Sequence, residues 1–294
     1  MNVLEYVATN ALEQGLLYAF MVLGVLLSFN MLGFPDLTVE GSYPLGGAVA
    51  ARLLVEGVHP GLATVAGALA GAAAGACTGL VHTKLRINNI LAGILTTSAL
   101  FTLMLRVMGR PNTPLLDRPG VVAWALGPLG LRENVRTTIV CVGVLALATL
   151  ALMHWFLRTD VGLAIRATGN NERMIRGLGV DTDLTKILTL AISNGLVAGT
   201  GALVAQNQGF SDVTMGIGAL VGAVASIIIG QTVFGDRGIG WLLASVVVGS
   251  VVYRALLAAA LRLGMPPTDL KLVTAVLVLV ALALPTLRAR YRSA

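Results

Sequence analysis

Apolar residues run through this chain in long blocks separated by short polar stretches. The blocks are 11–33, 39–57, 61–82, 88–107, 136–157, 184–205, 216–234, 238–262 and 269–287. Most are about 18–25 residues long, the length at which a helix rising 1.5 Å per residue crosses a hydrocarbon core of roughly 30 Å. Two blocks are weaker. The segments 39–57 and 216–234 each follow a polar, breaker-rich stretch, Phe34 to Tyr43 and Gln206 to Gly216. They read as broken or re-entrant helices, which a membrane tolerates where the irregular backbone is enclosed by protein. The pattern predicts an all-α polytopic membrane protein, one domain over residues 1–294, with eight to nine transmembrane helices.

Composition strengthens this reading. Of the 294 residues 56% are hydrophobic and 12% charged, with a mean hydropathy of +0.85. A soluble domain carries roughly 25% charged residues, so this chain lacks the polar surface to face water all round. It has 35 glycines and only 5% aromatics, so its helices are expected to pack through small side chains. The pI of about 9.8 does not point to nucleic acid. The basic residues fall at helix ends and in loops, and none forms a face long enough to track phosphates. Cys77 and Cys141 lie inside apolar blocks with no disulfide or metal spacing. Residues 1–10 lack a positive leader and a small-residue cleavage site, so no cleavable signal is expected.

Lysine and arginine set the expected orientation. The loop with Lys84 and Arg86 is basic, as are the stretch with Arg158, Arg166, Arg173, Arg176 and Lys186 and the tail with Arg288, Arg290 and Arg292. If all nine segments cross, these three regions share the cytoplasmic side. The N-terminus, with Glu5 and Glu13, and the loop 206–215 then lie outside. The loop 108–135 disagrees, since it also falls outside yet holds Arg110, Arg118 and Arg132, partly offset by Asp117 and Glu133. A long loop weighs less in the rule.

An internal repeat is visible. Asp36-Leu37-Thr38-Val39 runs into Gly47-Ala48-Val49-Ala50-Ala51, and Asp212-Val213-Thr214-Met215 runs into Gly222-Ala223-Val224-Ala225-Ser226. Each stretch follows one span and precedes two more. The halves are 11–107 and 184–287, with 136–157 as an odd helix between them, which makes the repeats inverted. Inverted repeats with breaks at matching places point to a transport pathway between them. Chance similarity in Gly/Ala-rich sequence is the alternative.

The segment 61–82 carries Gly67, Gly71, Gly75 and Gly79 at spacing four, one smooth ridge for close helix packing. Polar groups inside membrane helices are costly and usually functional. Asp36, Glu40, Thr96, Thr97, Asn207, Gln208, Asp212 and Gln231 are therefore pathway candidates. Asp36 and Glu40 fit equally as caps of 39–57, and Asp212 as a cap of 216–234, since acids favour helix N-termini. Asn88 and Asn89 are expected to start a helix, and Asn194 to bond across helices. His59, His82 and His154 stand at span ends and read as interfacial.

The hydrophilic stretch 158–183 is the most informative. Gly169-Asn170 is a breaker pair, and residues 171–176 make about one and a half turns with Met174 and Ile175 beside Arg173 and Arg176. Gly177 and Gly179 can end that helix. A short helix held between two spans suits docking into a soluble partner. An ordinary solvated loop with capping residues fits the residues equally well.

The run from Ala164 through Gly169, Asn170 and Asn171 to Arg173, followed by Gly177 to Val180, resembles the coupling segment of ABC importer permeases. The similarity is to the family containing the branched-chain amino acid and ribose permeases, whose pattern A-x-G-x-N-x-x-A-A-x-x-x-G-I contacts the ATPase subunit. This chain departs from it with Asn170 directly after Gly169 and with Arg173-Met174 where small residues are usual. Asp36 to Ser42 resembles the D-L-S-V-G element of the sugar permeases. With Gly93 to Thr97 and Met108 to Asn112, nearly the whole chain resembles a branch of that family some of whose members are associated with aromatic amino acid uptake. The resemblance implies ATPase-coupling residues at Gly169, Asn170, Asn171, Glu172, Arg173, Arg176, Gly177 and Gly179. It implies an ABC ATPase subunit and a periplasmic or lipid-anchored solute-binding protein as partners, a permease dimer among membrane lipids, and a bacterial inner-membrane location.

The chain has no phosphate-binding glycine loop with its lysine, no H-E-x-x-H and no G-x-S-x-G. No catalytic residue, metal or cofactor is expected on it. The expected function is the permease subunit of an ATP-driven importer of a small organic solute, with an amino acid favoured by resemblance. An ion-coupled secondary transporter also accounts for inverted repeats and buried acids.

Overall fold

The structure is a computed structural model that describes residues 3–116, 118–127, 134–235, 237–266, 269–270, 272–276 and 279. The expected last span, 269–287, lies mostly outside the described residues, as do Asp117, Arg132, Glu133 and the arginines 288, 290 and 292.

The described chain is almost wholly helical. α1 (Val3–Val25) continues into one wide turn, Leu26–Met31, whose Leu32 N–H reaches back five residues to Leu27 O at 3.1 Å. Then follow α2 (Val39–Val55), α3 (Pro60–Lys84), α4 (Asn89–Met108), the short strand β1 (Asn112–Pro114), α5 (Val121–Leu126), α6 (Val135–Phe156), α7 (Asp160–Gly177), α8 (Thr182–Gln208), the strand β2 (Phe210–Asp212), α9 (Ala219–Phe234) and α10 (Ile239–Arg262). Among the described residues six helices are long and apolar enough to cross a membrane: residues 7–31, then α3, α4, α6, α8 and α10. α2 and α9, with 17 and 16 residues, take the places of the two weak segments.

Local chemistry sets many of the ends. Pro60 opens α3 behind His59, whose Nδ1 accepts from Gly61 N–H at 3.1 Å. Asn88 accepts from Ile90 N–H at 3.0 Å and opens α4. α8 starts on Asp181, which accepts from the N–H groups of Asp183 and Leu184. α4 and α8 both stop at a glycine with positive φ, Gly109 and Gly209.

α1 and α8 form the enclosed centre. α3 lies along α8, and α10 along α1. Glycine makes the first approach possible. A Cβ on Gly67 would fall 2.7 Å from Gly46 O, and one on Gly79 would fall 2.8 Å from Ile187 Cα. At Gly71 and Gly75 it would run into Ala198, Asn194 and Leu190 of α8. α1 meets α10 in the same manner, with Gly15 2.6 Å from Val251 Cα by the same measure. α4 and α6 lie at the periphery and expose Ile90, Leu91, Ile94, Leu95 and Phe101, and Val140, Val144, Leu147 and Leu152. Apolar surface of that extent belongs against lipid or protein.

The two ends of the bundle are defined by loops far apart in sequence. At one end β1 pairs antiparallel with β2, Asn112 opposite Asp212 and Pro114 opposite Phe210. Asn207 Nδ2 donates to Glu13 Oε1 there at 3.0 Å. At the other end α7 packs against the start of α8, and a cleft separates it from the 86–88 turn.

Candidate transport pathway and coupling surface

α2 does not start at an end of the bundle. Its first residues meet α3 six residues before that helix ends, where Thr38 Oγ1 and Thr78 Oγ1 lie 2.7 Å apart. They meet α4 eight residues after its start, where Thr97 Oγ1 donates to Leu37 O at 3.0 Å. At 1.5 Å per residue, α2 begins roughly 9–12 Å in from the α7 end. α9 begins at the same level from the opposite direction. Its entering turn crosses α2 at Glu40, whose Oε1 accepts from Gly218 N–H at 3.1 Å. Pro44 has no N–H to give the Glu40 carbonyl four residues back. Gly216 fills that gap, so closely that any Cβ there would collide with Glu40 O. Two interrupted helices thus begin against each other inside the bundle, the arrangement in which helix termini face a translocated solute.

Below this junction lies a buried polar knot. Asp36 Oδ1 accepts from Thr38 N–H at 2.9 Å, and Asp36 Oδ2 accepts from Asn194 Nδ2 at 2.6 Å. Asn194 also donates to Leu190 O and accepts from Ser42, whose hydroxyl is bonded to Thr38 O as well. Ser193, next along α8, donates to Gly24 O at 2.7 Å. The knot ties the break after α1 to the middle of α8 and satisfies groups that would be costly left alone.

The sequence-predicted polar residues separate into distinct places. Asp36, Glu40 and Thr97 gather at the break before α2. Thr96 is buried on α4 and bonds to Ala92 O. Asn207 and Gln208 sit at the β1–β2 end, Gln208 donating to its neighbour Phe210 O. Asp212 is also there, accepting from Asn112 Nδ2 at 3.0 Å and from the Thr214 N–H and hydroxyl. Partial burial pushes the Asp212 carboxyl up, but the bonds from Thr214 and Asn112 outweigh it and hold it below the usual range. Asp212 does not cap α9. That helix starts seven residues later behind Gly218, because the chain first descends from the strand to the Glu40 crossing. Gln231 is half-buried on α9, away from the other candidates in sequence.

Sequence reasoning passes over a second group beside the junction. Arg254 on α10 lies 3.4 Å from the ring centroid of Tyr18 on α1, and Tyr43 of α2 donates to the Tyr18 hydroxyl at 2.8 Å. A lone arginine eight residues from the end of an apolar helix is the signal that could have found it. A larger cavity of about 410 Å³ opens between α1, α5, α6 and α8, with walls such as Leu17, Val140, Leu145 and Leu203. Its polar lining, Gln206 and Asn207, is engaged with Thr64, Val121 and Glu13.

At the α7 end, the expected short helix after a Gly169-Asn170 break is instead the second part of a longer element. Helix already runs from Asp160, capped by Thr159. The break is one residue later, at Asn171 with φ −155° and ψ 89°, and the Asn171 side chain accepts from Met174 N–H at 3.1 Å. Gly169 is a contact point rather than a breaker. Its backbone abuts Met31 O and Leu32 at the exit of the wide turn after α1, leaving no room for a Cβ. Gly177 stays within the helix, and Gly179, with φ +88°, makes the turn out.

The second part of α7 is clamped to α8. Lys186 Nζ meets Glu172 Oε1 at 2.8 Å, and Arg176 spans Glu172, Thr182 and Asp183 at 3.3, 2.6 and 2.8 Å. The Lys186 bond holds the Glu172 carboxyl below its ordinary range against the opposing effect of burial, with the Lys186 charge, Thr182 and Arg176 adding to it. Ile175 faces inward while Met174 and Leu178 stay 53% and 73% exposed beside Arg173. The result is a fixed helix presenting two apolar side chains and a cation outward.

Residues 7–283 match the family described as branched-chain amino acid transport system, permease component. The chain is similar to the tyrosine transport system permease protein of Clostridioides difficile (strain R20291), 39% identical over 278 residues that cover 93% of this chain and 90% of the relative. It is 29% identical to the ribose import permease protein of Escherichia coli (strain K12) over 248 residues, 82% of this chain and 74% of that one. Among solved structures, PsaBC from Streptococcus pneumoniae in complex with Fab matches with a TM-score of 0.54 over 96% of this chain and 91% of that chain. At 15% identity the likeness is one of fold alone.

Proposed function

The chain belongs to the family of branched-chain amino acid transport system permease components, and from that premise we infer that it is the membrane-spanning subunit of an ATP-driven importer of a small organic solute, with an amino acid as the favoured cargo. It is a multi-pass transport subunit, and in this reading a separate ABC ATPase hydrolyses the ATP. A solute-binding protein delivers cargo at the β1–β2 end, and the α7 end faces the cytoplasm of a bacterium. Two copies of the chain, or one with a related chain, make up the membrane unit. The tyrosine permease relative supports an amino acid over a sugar, since its likeness is both higher and more complete than that of the ribose permease.

The observation that carries the coupling role is α7. Its outward face offers Met174, Leu178 and Arg173, while its inner side touches the Met31–Leu32 turn through Gly169. A partner that moves α7 therefore pushes on the break between α1 and α2, and through Asp36 and Asn194 on α8. Gly169, Asn170, Asn171, Glu172, Arg173, Arg176, Gly177 and Gly179 form this coupling segment.

The packing supports an inverted repeat as the frame for alternating access. α3 of the first half lies on α8, and its counterpart α10 lies on α1. Asp36 and Asp212 hold the same turn, each accepting from the N–H two residues on, at 2.9 and 2.8 Å. The pathway in this frame runs past the α2 and α9 starts, with Asp36, Glu40 and Thr97 near its middle and Asn207, Gln208 and Asp212 near its outer mouth.

Co-purification tests the reading. The chain, expressed with the ABC ATPase from its own gene neighbourhood, is expected to form a stable complex that Met174→Glu with Leu178→Glu breaks. A wild-type chain that never associates with that ATPase would overturn it.

A further inference from the structure

One cation in the enclosed part of the bundle has no acidic counterpart. Arg254 sits within the α10 span. Among the described residues no carboxylate lies within ion-pair distance of it, and its buried Nε makes no hydrogen bond. Its guanidinium carbon instead lies over the Tyr18 ring, 3.4 Å from the centroid. An unpaired charge inside a membrane span is expensive, and such residues usually serve a ligand.

Arg254 borders a cavity of about 150 Å³ enclosed by Tyr18, Met21, Met215, Gly218, Gly222 and Tyr253, among others. Two features of its wall suit an anion. Arg254 is cationic. Tyr18 accepts from Tyr43 at 2.8 Å, which leaves the Tyr18 proton free to donate. Gly222 keeps the space open, because a Cβ there would approach the Tyr253 hydroxyl to 3.2 Å. Met21, Val22, Met215 and Ile217 supply apolar walls. Glu40 stands behind Gly218, bonded to its N–H at 3.1 Å.

We propose that this cavity is a recognition site for the carboxylate of a small solute with an apolar side chain, held by Arg254 together with the Tyr18 hydroxyl. The site lies beside the crossing of the two interrupted helices, so a carboxylate bound there bridges α1 and α10. Arg254 discriminates the solute by charge, and the methionine-lined wall tolerates variation in the side chain. The proposal rests on the permease reading only in calling the occupant a transported solute.

Binding to the chain alone separates the two. The purified wild-type chain in nanodiscs of zwitterionic lipid is examined by saturation-transfer NMR with three probes that share the 3-methylbutyl group. L-Leucine carries carboxylate and ammonium, 4-methylpentanoate only the carboxylate, and isoamylamine only the ammonium. The two carboxylates are expected to give saturation transfer at least fivefold above isoamylamine. Arg254→Gln is expected to remove that excess, and Arg254→Lys, which keeps the charge, to retain part of it. Equal signals from all three probes, no signal from either carboxylate, or an undiminished signal in Arg254→Gln would overturn the site. The probe comparison in the wild type needs no variant to fold. Neither ATPase nor binding protein is present, so a failure here leaves the importer reading intact, and a failed ATPase co-purification leaves this result intact.

Discussion

Gly169→Ala adds one methyl group at the contact between α7 and the turn that follows α1. The new Cβ would overlap Met31 O and fall 2.9 Å from Leu32 Cα, against 3.4 Å for ordinary van der Waals contact. The Leu32 contact alone asks α7 to withdraw by about 0.5 Å, and the Met31 oxygen asks for more. Overpacking of this kind costs about 1–3 kcal/mol. That energy falls on any state in which α7 presses on Met31–Leu32 and is absent from states in which they part. At 1.4 kcal/mol per factor of ten, the shift in that equilibrium is about fivefold to a hundredfold. Gly127→Ala, at the end of α5 and outside the coupling segment, is the control. Its Cβ meets nothing within 4 Å, and alanine favours a helix over glycine by roughly 1 kcal/mol. The assay reconstitutes permease, ATPase and binding protein in proteoliposomes and measures solute imported per ATP hydrolysed. Gly169→Ala is expected to lower that ratio about tenfold while the complex still assembles, and Gly127→Ala to leave it unchanged. A Gly169→Ala complex with the wild-type ratio would refute the reasoning, because α7 would then not transmit force through this contact.

Two further outcomes follow from the polar networks. Asn194→Ala removes the 2.6 Å bond to Asp36 and strands a buried carboxylate; about 3 kcal/mol of stability should be lost, read as a lower unfolding midpoint in detergent, and Asp36→Ala combined with it should cost less than the two single changes added. The Glu172 carboxyl is held below its ordinary value chiefly by Lys186, so its contribution to the α7–α8 clamp is present above the unfolded value near 4.5 and fades as pH falls through the lower folded value. Hydrogen exchange across residues 172–186 should quicken on acidification below that range, and Lys186→Met should bring the onset to higher pH; an onset that Lys186→Met does not move would show that the clamp lies elsewhere.

The helices were legible in the sequence because membrane spans are written as uninterrupted apolar runs, and even the shortness of α2 and α9 showed as polar stretches ahead of them. The short helix over 171–176 was legible in the sequence, but the helix through Gly169 was not. A Gly-Asn pair reads locally as a break, whereas the actual constraint is the backbone of Met31, more than a hundred residues away. The same limit hid the pairing of β1 with β2 and the meeting of Glu40 with Gly218. Arg254 escaped because a single cation in a long apolar run hardly changes the pattern, and its partners Tyr18 and Tyr43 come from two other helices. Asp36 was recognisable as costly, but its bond to Asn194 depends on the α2–α8 packing that small residues make possible.

Energy source is the most direct test of the account. In proteoliposomes holding the chain, its ATPase and a cargo-loaded binding protein, solute uptake is predicted to require ATP and to continue unchanged with a protonophore present. Uptake that proceeds without ATP and collapses with the protonophore would contradict it.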